Sequence, residues 1–187
     1  ERTGMKIALK KIDENIVEYI LYMFQLHDIL RGLNFEEEAI LYNLVKPMAD
    51  NEEEEKEILA WYLKLIKDMK DEGLEKQGFT SEVSSKVGEL SLLHGMLLNQ
   101  LADKRYQEIF KNTEPFIQEF RAKSNDDKVS DILICLNALY AKLLLKLKKK
   151  EITDQSEEAF KQFSQILAYL AIKYKEMYQG RLAFSLN

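Results

Sequence analysis

The residues best able to do chemistry in this chain are two histidines, His27 and His94, and one cysteine, Cys135. A di-iron helical bundle needs Glu-x-x-His pairs, because ligands three residues apart project from successive turns of one helix. Phe24 lies three residues before His27 and Ser91 lies three before His94, so neither histidine has such a partner. Two histidines and one cysteine also fall short of a standard structural zinc site. We therefore expect no bound metal.

Motifs of the common catalytic and nucleotide-binding families are absent from the sequence. The seven glycines are scattered singly, so there is no Gly-rich phosphate loop, dinucleotide fingerprint or nucleophile elbow. Cys135 lies among Ile132, Ile134 and Leu136, which is typical of a buried and inert thiol. The sequence therefore assigns no catalytic residue, and we expect no cofactor.

A polar set on an otherwise apolar helix is the first candidate site. It comprises Glu18, Tyr22, Gln25, Asp28 and Arg31. Buried polar groups must find partners, so such a set indicates either a structural network or a ligand contact, and both interpretations stay open. Asp28 and Arg31, three residues apart, are also placed to pair with each other.

The second candidate site surrounds His94, which occupies one position of an apolar seam with four-and-three spacing. The seam comprises Val83, Val87, Leu90, His94, Leu97 and Leu101. Beside it runs a stripe of small residues: Ser84, Gly88, Ser91 and Gly95. A glycine inside a helix costs roughly 1 kcal/mol relative to alanine. Either another helix approaches this stripe closely, or the stripe forms the wall of a ligand groove.

The composition indicates that helices position these residues. Only seven Gly and two Pro serve 187 residues, and β-structure needs turn residues far more often than that. The sequence predicts an all-α protein, a single-domain bundle of about seven helices with short connections over residues 5–180. Residues 1–4 are interpreted as a non-native leader or loose N-terminus, and residues 181–187 as a loose C-terminal tail.

Apolar periodicity and capping residues predict where the helices lie. The first four are expected from Asp13 to Arg31 with Gly32 as its cap, from a capping box of Asn34 and Glu37 to Pro47, from Asp50 or Asn51 to Gly73, and from Thr80 through the His94 seam. The next segment, 103–123, is expected to kink or divide at Pro115, with Thr113 as an N-cap. The last two helices are expected from Asn125 to Lys150, and from Thr153 or Ser156 to Gly180.

Charge and hydropathy exclude two classes of partner. The formal net charge of −5 gives no general attraction to phosphate backbones or anionic lipid, so we expect no nucleic acid. No stretch of about 18 uncharged apolar residues is present, so we expect no membrane association. A single cysteine excludes an intramolecular disulfide and fits a reducing compartment, so we expect a cytoplasmic protein.

Short segments spread over the chain carry a resemblance to a known family. They are residues 15–25 with Asp28 and Arg31, Trp61 and Tyr62, Leu93 and His94, Pro115 to Ile117 with Arg121, 127–129, 138–140 and 149–152. With them the chain resembles, from Met5 to about Tyr178, an uncharacterised bacterial family catalogued as a domain of unknown function. The resemblance implies an all-helical, stand-alone cytoplasmic protein and implies no activity.

Two hypotheses of function remain open, and whether the protein is an enzyme is left undecided. The first is a non-enzymatic cytoplasmic helical protein that binds another protein or itself, as a homodimer favoured by the heptad spacing from Phe160 to Met177. The alternative is a small-molecule-binding protein or enzyme with an internal pocket near His94. In that case Asp28, Arg31 or Arg121 would place a polar ligand.

Overall fold

Helices account for all the regular secondary structure of the described residues. The structure is a computed structural model, and it describes residues 4–124 and 128–180. Over these ranges there is no strand, which confirms the all-α prediction. The elements are α1 (Gly4–Glu14), α2 (Ile16–Gly32), α3 (Glu37–Ile40), a π-helical segment (Leu41–Val45), α4 (Glu52–Asp71), α5 (Ser81–Leu98), α6 (Lys104–Ser124), α7 (Asp131–Leu147) and α8 (Asp154–Tyr178). None of the described helices has both the length and the apolar character needed to cross a bilayer.

The contacts divide the chain into two compact units, unit 1 from Glu1 to Ser85 and unit 2 from Lys86 to Asn187. Each unit has its own set of fully buried apolar side chains. In unit 1 they include Ile20, Leu30, Ile58 and Met69, and in unit 2 Leu90, Tyr106, Ile117 and Phe163. The single domain expected over residues 5–180 stays a prediction. The N-terminal residues 1–3 and the tail after Gly180 lie outside the described residues.

A helix that the periodicity did not indicate precedes the first predicted one. Asn15 lies between α1 and α2 in an extended conformation, and its side-chain oxygen accepts hydrogen bonds from the backbone N–H groups of Val17 and Glu18, each at 3.1 Å. These bonds satisfy donors at the start of α2 that have no partner within the helix. The predicted start near Asp13 is therefore wrong by one short turn, because Asn15 separates two helices.

The end of α2 also differs from the prediction. Gly32 lies inside the helix, and the chain reverses through Asn34 and Phe35, whose φ angles are +52° and +58°. Asn34 therefore takes the left-handed conformation and is not the N-cap of the next helix. The residue before α3 is Glu36, whose side chain makes no capping hydrogen bond.

The caps of the longer helices agree better with the sequence. Asn51 accepts a hydrogen bond from the N–H of Glu54 at the start of α4, and Thr153 accepts one from Ser156 at the start of α8. Gly73, with φ +70°, follows the end of α4 as expected. In contrast, α7 begins at Asp131, where Ser130 caps it by accepting a bond from Leu133. The predicted start at Asn125 lies outside the described residues.

Pro115 lies within α6, which is one continuous helix, so the predicted division into two pieces is wrong. Thr113 is fully buried and does not cap a second piece, since its hydroxyl donates to the Ile109 carbonyl one turn earlier. Proline removes one backbone hydrogen bond from a helix. Buried Thr113 and Ile117 lie on either side of it, so packing holds the helix across the missing bond.

The heptad positions of α8 pack inside unit 2, where α8 contacts α6 and α7. The heptad positions that are at least nine-tenths buried are Phe160, Phe163, Leu167, Leu170 and Tyr174. The spacing that favoured a homodimer through this helix is therefore explained by packing within the unit.

We expect Asn15→Ala to lower the free energy of unfolding by about 1 kcal/mol, because two N–H groups of α2 lose their acceptor. Urea denaturation followed by circular dichroism measures the change. Asn43→Ala is the control, since the exposed Asn43 side chain only donates to the Ala39 carbonyl within its own helical turn. Equal effects of the two substitutions would contradict the capping role of Asn15.

Candidate functional site

The residues singled out from the sequence fall in both units. Tyr22, Gln25, Asp28 and Arg31 lie on α2 in unit 1, and His94 and Arg121 lie on α5 and α6 in unit 2.

Arg31 fastens the loop between α4 and α5 to α2. Its Nε donates to the Leu74 carbonyl at 3.0 Å, and a terminal nitrogen donates to the Gly78 carbonyl. The other terminal nitrogen donates to Asp28 at 2.9 Å, the i,i+3 pair expected from the sequence. The guanidinium is largely buried, at 13% exposure, and its donors are directed at protein oxygens. In this position Arg31 acts as a structural clamp.

The other polar residues of α2 lie on its more solvent-exposed side and not around an internal site. Asp28 and Glu18 are exposed, and Glu18 pairs with Lys11 at 3.0 Å. Tyr22 and Gln25 are half-buried, and burial raises the pKa of Tyr22 above its usual value. None of these residues lines the recess between α1, α2 and α4.

The buried polar group of α2 is His27, at 1% exposure. Neither of its ring nitrogens makes a well-aligned hydrogen bond in the described part of the chain. Burial lowers the pKa of His27 to about 4; the Met23 carbonyl one turn earlier opposes this shift, but burial outweighs it. His27 is therefore a neutral core residue near pH 7.

In unit 2 His94 makes a close contact with Tyr106. The His94 Nδ1 lies 2.7 Å from the Tyr106 hydroxyl, and the two rings meet edge to face. Phe110 covers another edge of the imidazole, with ring centroids 4.9 Å apart. Tyr106 is fully buried, so His94 provides the hydrogen-bond partner that its hydroxyl needs.

Asp131, at the start of α7, joins His94 to the other predicted residue of unit 2. Its Oδ2 lies 3.8 Å from His94 Nε2, and its Oδ1 accepts a hydrogen bond from Arg121 at 2.5 Å. Arg121 also donates to the Val129 carbonyl. We call Tyr106, His94, Asp131 and Arg121 the His94 cluster.

Burial dominates the electrostatics of the His94 cluster. It lowers the pKa of His94, and the nearby Asp131 carboxylate opposes that shift. It raises the pKa of Tyr106 and of the neighbouring Cys135 thiol far above their usual values. The neutral imidazole is therefore assigned a proton on Nε2, facing Asp131, while Nδ1 accepts from the Tyr106 hydroxyl. Cys135 is an inert thiol, as the sequence indicated.

A tyrosine, histidine and aspartate in series have the order of a proton relay, but a relay must reach its substrate. The hydroxyl at the end of this series belongs to Tyr106, which is fully buried and offers no exposed surface to a substrate. The His94 cluster is a partly buried polar network that joins α5, α6 and α7.

A second network adjoins the His94 cluster. Asp103, the residue before α6, accepts hydrogen bonds from the Tyr106 backbone N–H at 3.0 Å and from the Tyr169 hydroxyl at 2.8 Å. Tyr106 and Tyr169 also stack, with ring centroids 5.6 Å apart. Asp103 thus caps α6 and ties it to α8.

In the stripe of small residues on α5, the Ser91 hydroxyl donates to that of Ser130, the N-cap of α7, at 3.4 Å, whereas the two glycines have no close neighbour. A Cβ built on Gly88 or on Gly95 meets no atom within 4 Å beyond its own helix. Leu92, between them, is 67% exposed. The close helix approach offered as one explanation of these glycines is thus absent from the described structure.

The sequence did not identify Tyr106, Asp131 and Asp103. Tyr106 belongs to an apolar stripe of α6 with Phe110, Thr113 and Ile117, and this four-and-three spacing would have placed it in the core. Asp131 and Asp103 carried no such signal, because an acid at a helix start is ordinary and their partners lie on other helices. No three potential metal ligands come together in ranges 4–124 and 128–180.

Comparison with known proteins gives one match. The model of a family described as "Domain of unknown function (DUF4924)" matches residues 5–181, nearly the whole chain. No curated protein and no solved structure matches it.

We expect His94→Leu to lower the free energy of unfolding by about 1–3 kcal/mol, because the fully buried Tyr106 hydroxyl loses its partner. Tyr106→Phe in the same background should recover part of the loss by removing that orphaned hydroxyl. Urea denaturation of the two single variants and the double variant measures the coupling. Strictly additive losses would contradict a bond between the two side chains.

We also expect the protein to lose stability in acid through His27. The folded pKa of about 4 lies below the unfolded value of 6.5, so between these pH values the unfolded chain binds a proton that the folded chain does not. The free energy of unfolding should therefore fall as the pH drops below 6.5, by about 3 kcal/mol near pH 4 from this group. Denaturation of wild type and His27→Phe at pH 7 and pH 4.5 measures the difference. Parallel losses in the two proteins would contradict this assignment.

Proposed function

This chain belongs to the DUF4924 family, a domain of unknown function, and we propose that it is a non-enzymatic helical protein of the bacterial cytoplasm that acts by protein–protein contact, first with a second copy of itself. The observation that carries the proposal is the uncovered side of α5 in unit 2. We call Gly88, Leu92, Gly95 and Asn99 the α5 face. Their four-and-three spacing places them on one side of the helix and its C-terminal turn.

The α5 face is apolar or uncharged along its length, in a chain whose charged content is 32%. Charged residues are depleted at the centres of protein interfaces. The charged residues nearest to it on α5 are turned elsewhere: Lys86 pairs with Glu89, and Glu89 accepts hydrogen bonds from Tyr174 and Tyr178 of α8. Leu92, at 67% exposure, is the large apolar side chain of this face.

The shape of the α5 face favours a second copy as that partner. Leu92 projects between two positions without side chains, so the face carries one knob and two notches. A two-fold axis brings identical faces together, and a knob of one copy then meets a notch of the other. Missing Cβ atoms also let two helix backbones approach closely.

The polar side chains support a non-enzymatic role. Within the His94 cluster, His94 pairs with Tyr106 and Arg121 pairs with Asp131, and Arg31 directs its donors at loop carbonyls. The alternative of a ligand pocket near His94 has less support, because the Tyr106 hydroxyl that contacts His94 is fully buried. The buried free thiol of Cys135 fits a cytoplasmic location.

We expect Leu92→Glu to shift the protein toward the monomer, because it places a charge in the proposed contact without disturbing a buried residue. Light scattering across a concentration series measures the mass. Ile172→Glu on α8 is the matched control, since Ile172 is 60% exposed and lies in the same unit. A wild-type protein that stays monomeric at high concentration would exclude self-association, as would equal effects of the two substitutions.

Gly88→Ala and Gly95→Ala separate folding from association in the same experiment. Each added methyl meets open space within the chain, so each variant should gain up to about 1 kcal/mol of helix stability. The same methyl fills a notch of the α5 face and should weaken the dimer. Greater stability together with undiminished association would exclude the glycine notches from the interface.

A further inference from the structure

A second surface of the molecule, in unit 1 and independent of the α5 face, has the composition of a ligand site. A recess of about 90 Å³, open to solvent, is lined by residues of α1, α2 and α4, with Glu82 of α5 at its edge. Its buried lining includes Tyr19, Met23 and Leu65, and half-buried Trp61 also lines it. An apolar recess with a few polar groups is the usual form of a small-molecule site.

Tyr19 is the polar group inside the recess. The residue is 5% exposed, and its hydroxyl makes no hydrogen bond with any described residue. Burial, and secondarily the charge of Glu82, raise the pKa of Tyr19 to about 12, so the hydroxyl is neutral near pH 7. Such a hydroxyl faces the open recess and can accept a hydrogen bond from a bound molecule in place of water.

The charged residues at the edge leave the recess negative. Lys64 pairs with Asp68 at 2.8 Å, so these two charges largely cancel. Glu82 is exposed and makes no ion pair within the described part of the chain. The recess therefore combines one unpaired carboxylate, an unpartnered hydroxyl and an indole ring.

We propose that this recess binds a small organic cation, an ammonium group carried on an aromatic or aliphatic body. The ammonium N–H groups donate to the Tyr19 hydroxyl and the Glu82 carboxylate. The apolar body packs against Trp61, Met23 and Leu65. A cation is attracted to the face of an aromatic ring, and Trp provides the strongest such attraction.

The fluorescence of Trp61 reports on binding, because Trp61 is the only tryptophan of the chain. Benzylammonium chloride is the probe, titrated into the full chain with tryptophan fluorescence excited at 295 nm, where the probe does not absorb. We expect a saturable fluorescence change that weakens as salt is added, since the contact with Glu82 is exposed. Benzyl alcohol and phenylacetate, of similar size, test the requirement for positive charge.

Two variants test the assigned partners. Glu82→Gln should weaken benzylammonium binding about fivefold, the size expected of an exposed ion pair. Tyr19→Phe should weaken it by a similar factor while leaving the apolar lining in place. Glu75→Gln is the matched control, because it removes an exposed carboxylate of the same unit that does not line the recess.

Each outcome decides the proposal. Saturable binding of benzylammonium that is stronger than that of phenylacetate, and that falls in Glu82→Gln but not in Glu75→Gln, supports it. Equal binding of benzyl alcohol, or of benzylammonium to both glutamine variants, would overturn the selection for a cation. No saturable change with benzylammonium would overturn the site itself, even if Tyr19→Phe fails to fold, because wild type and Glu82→Gln carry that comparison.

Discussion

A hydroxyl or ring nitrogen that is buried between helices must find its partner inside the protein, and this constraint organises the interior of unit 2. Leaving such a group unpaired costs about 1–3 kcal/mol. Fully buried Tyr106 meets the requirement through His94, and Asp131 holds both His94 and Arg121 near the start of α7. Residue types that suggest catalysis in the sequence are therefore explained by the packing of three helices. The same bonds fix how α5, α6 and α7 lie against one another.

In unit 1 the buried side chains of His27 and Tyr19 differ in their access to solvent, and this difference separates a core residue from a candidate binding group. His27 is enclosed without a well-aligned partner, so it stays neutral and reduces stability in acid. Tyr19 is almost as buried, but it lines a recess that opens to solvent. An enclosed group imposes a cost on folding alone. A group that faces a recess can regain its hydrogen bond from a bound molecule, so only Tyr19 indicates a site.

Local signals in the sequence predicted the helices well, and contacts between helices could not be predicted from them. The caps Asn51 and Thr153 and the buried stripe of α8 depend on residues within four positions of each other. The left-handed turn at Asn34 and Phe35, and the unbroken α6 at Pro115, depend on packing that overrides local preference. His94, Arg121 and Asp131 lie on three different helices, so no periodicity of the sequence indicates that Asp131 joins the other two. Recognising the stripe that contains Tyr106 would have identified part of the cluster.

Contacts within the described chain do not explain why α5 carries glycine at positions 88 and 95. Each costs a helix up to about 1 kcal/mol relative to alanine, and alanine would meet no atom at either position. Within the described chain, nothing lies within 4 Å of a Cβ built on either glycine, and neither residue takes a positive φ angle. Leu92, exposed between them, adds an apolar side chain that the fold leaves unburied. Contact with another helix would offset both costs at once, because the same approach buries the leucine and requires the missing side chains.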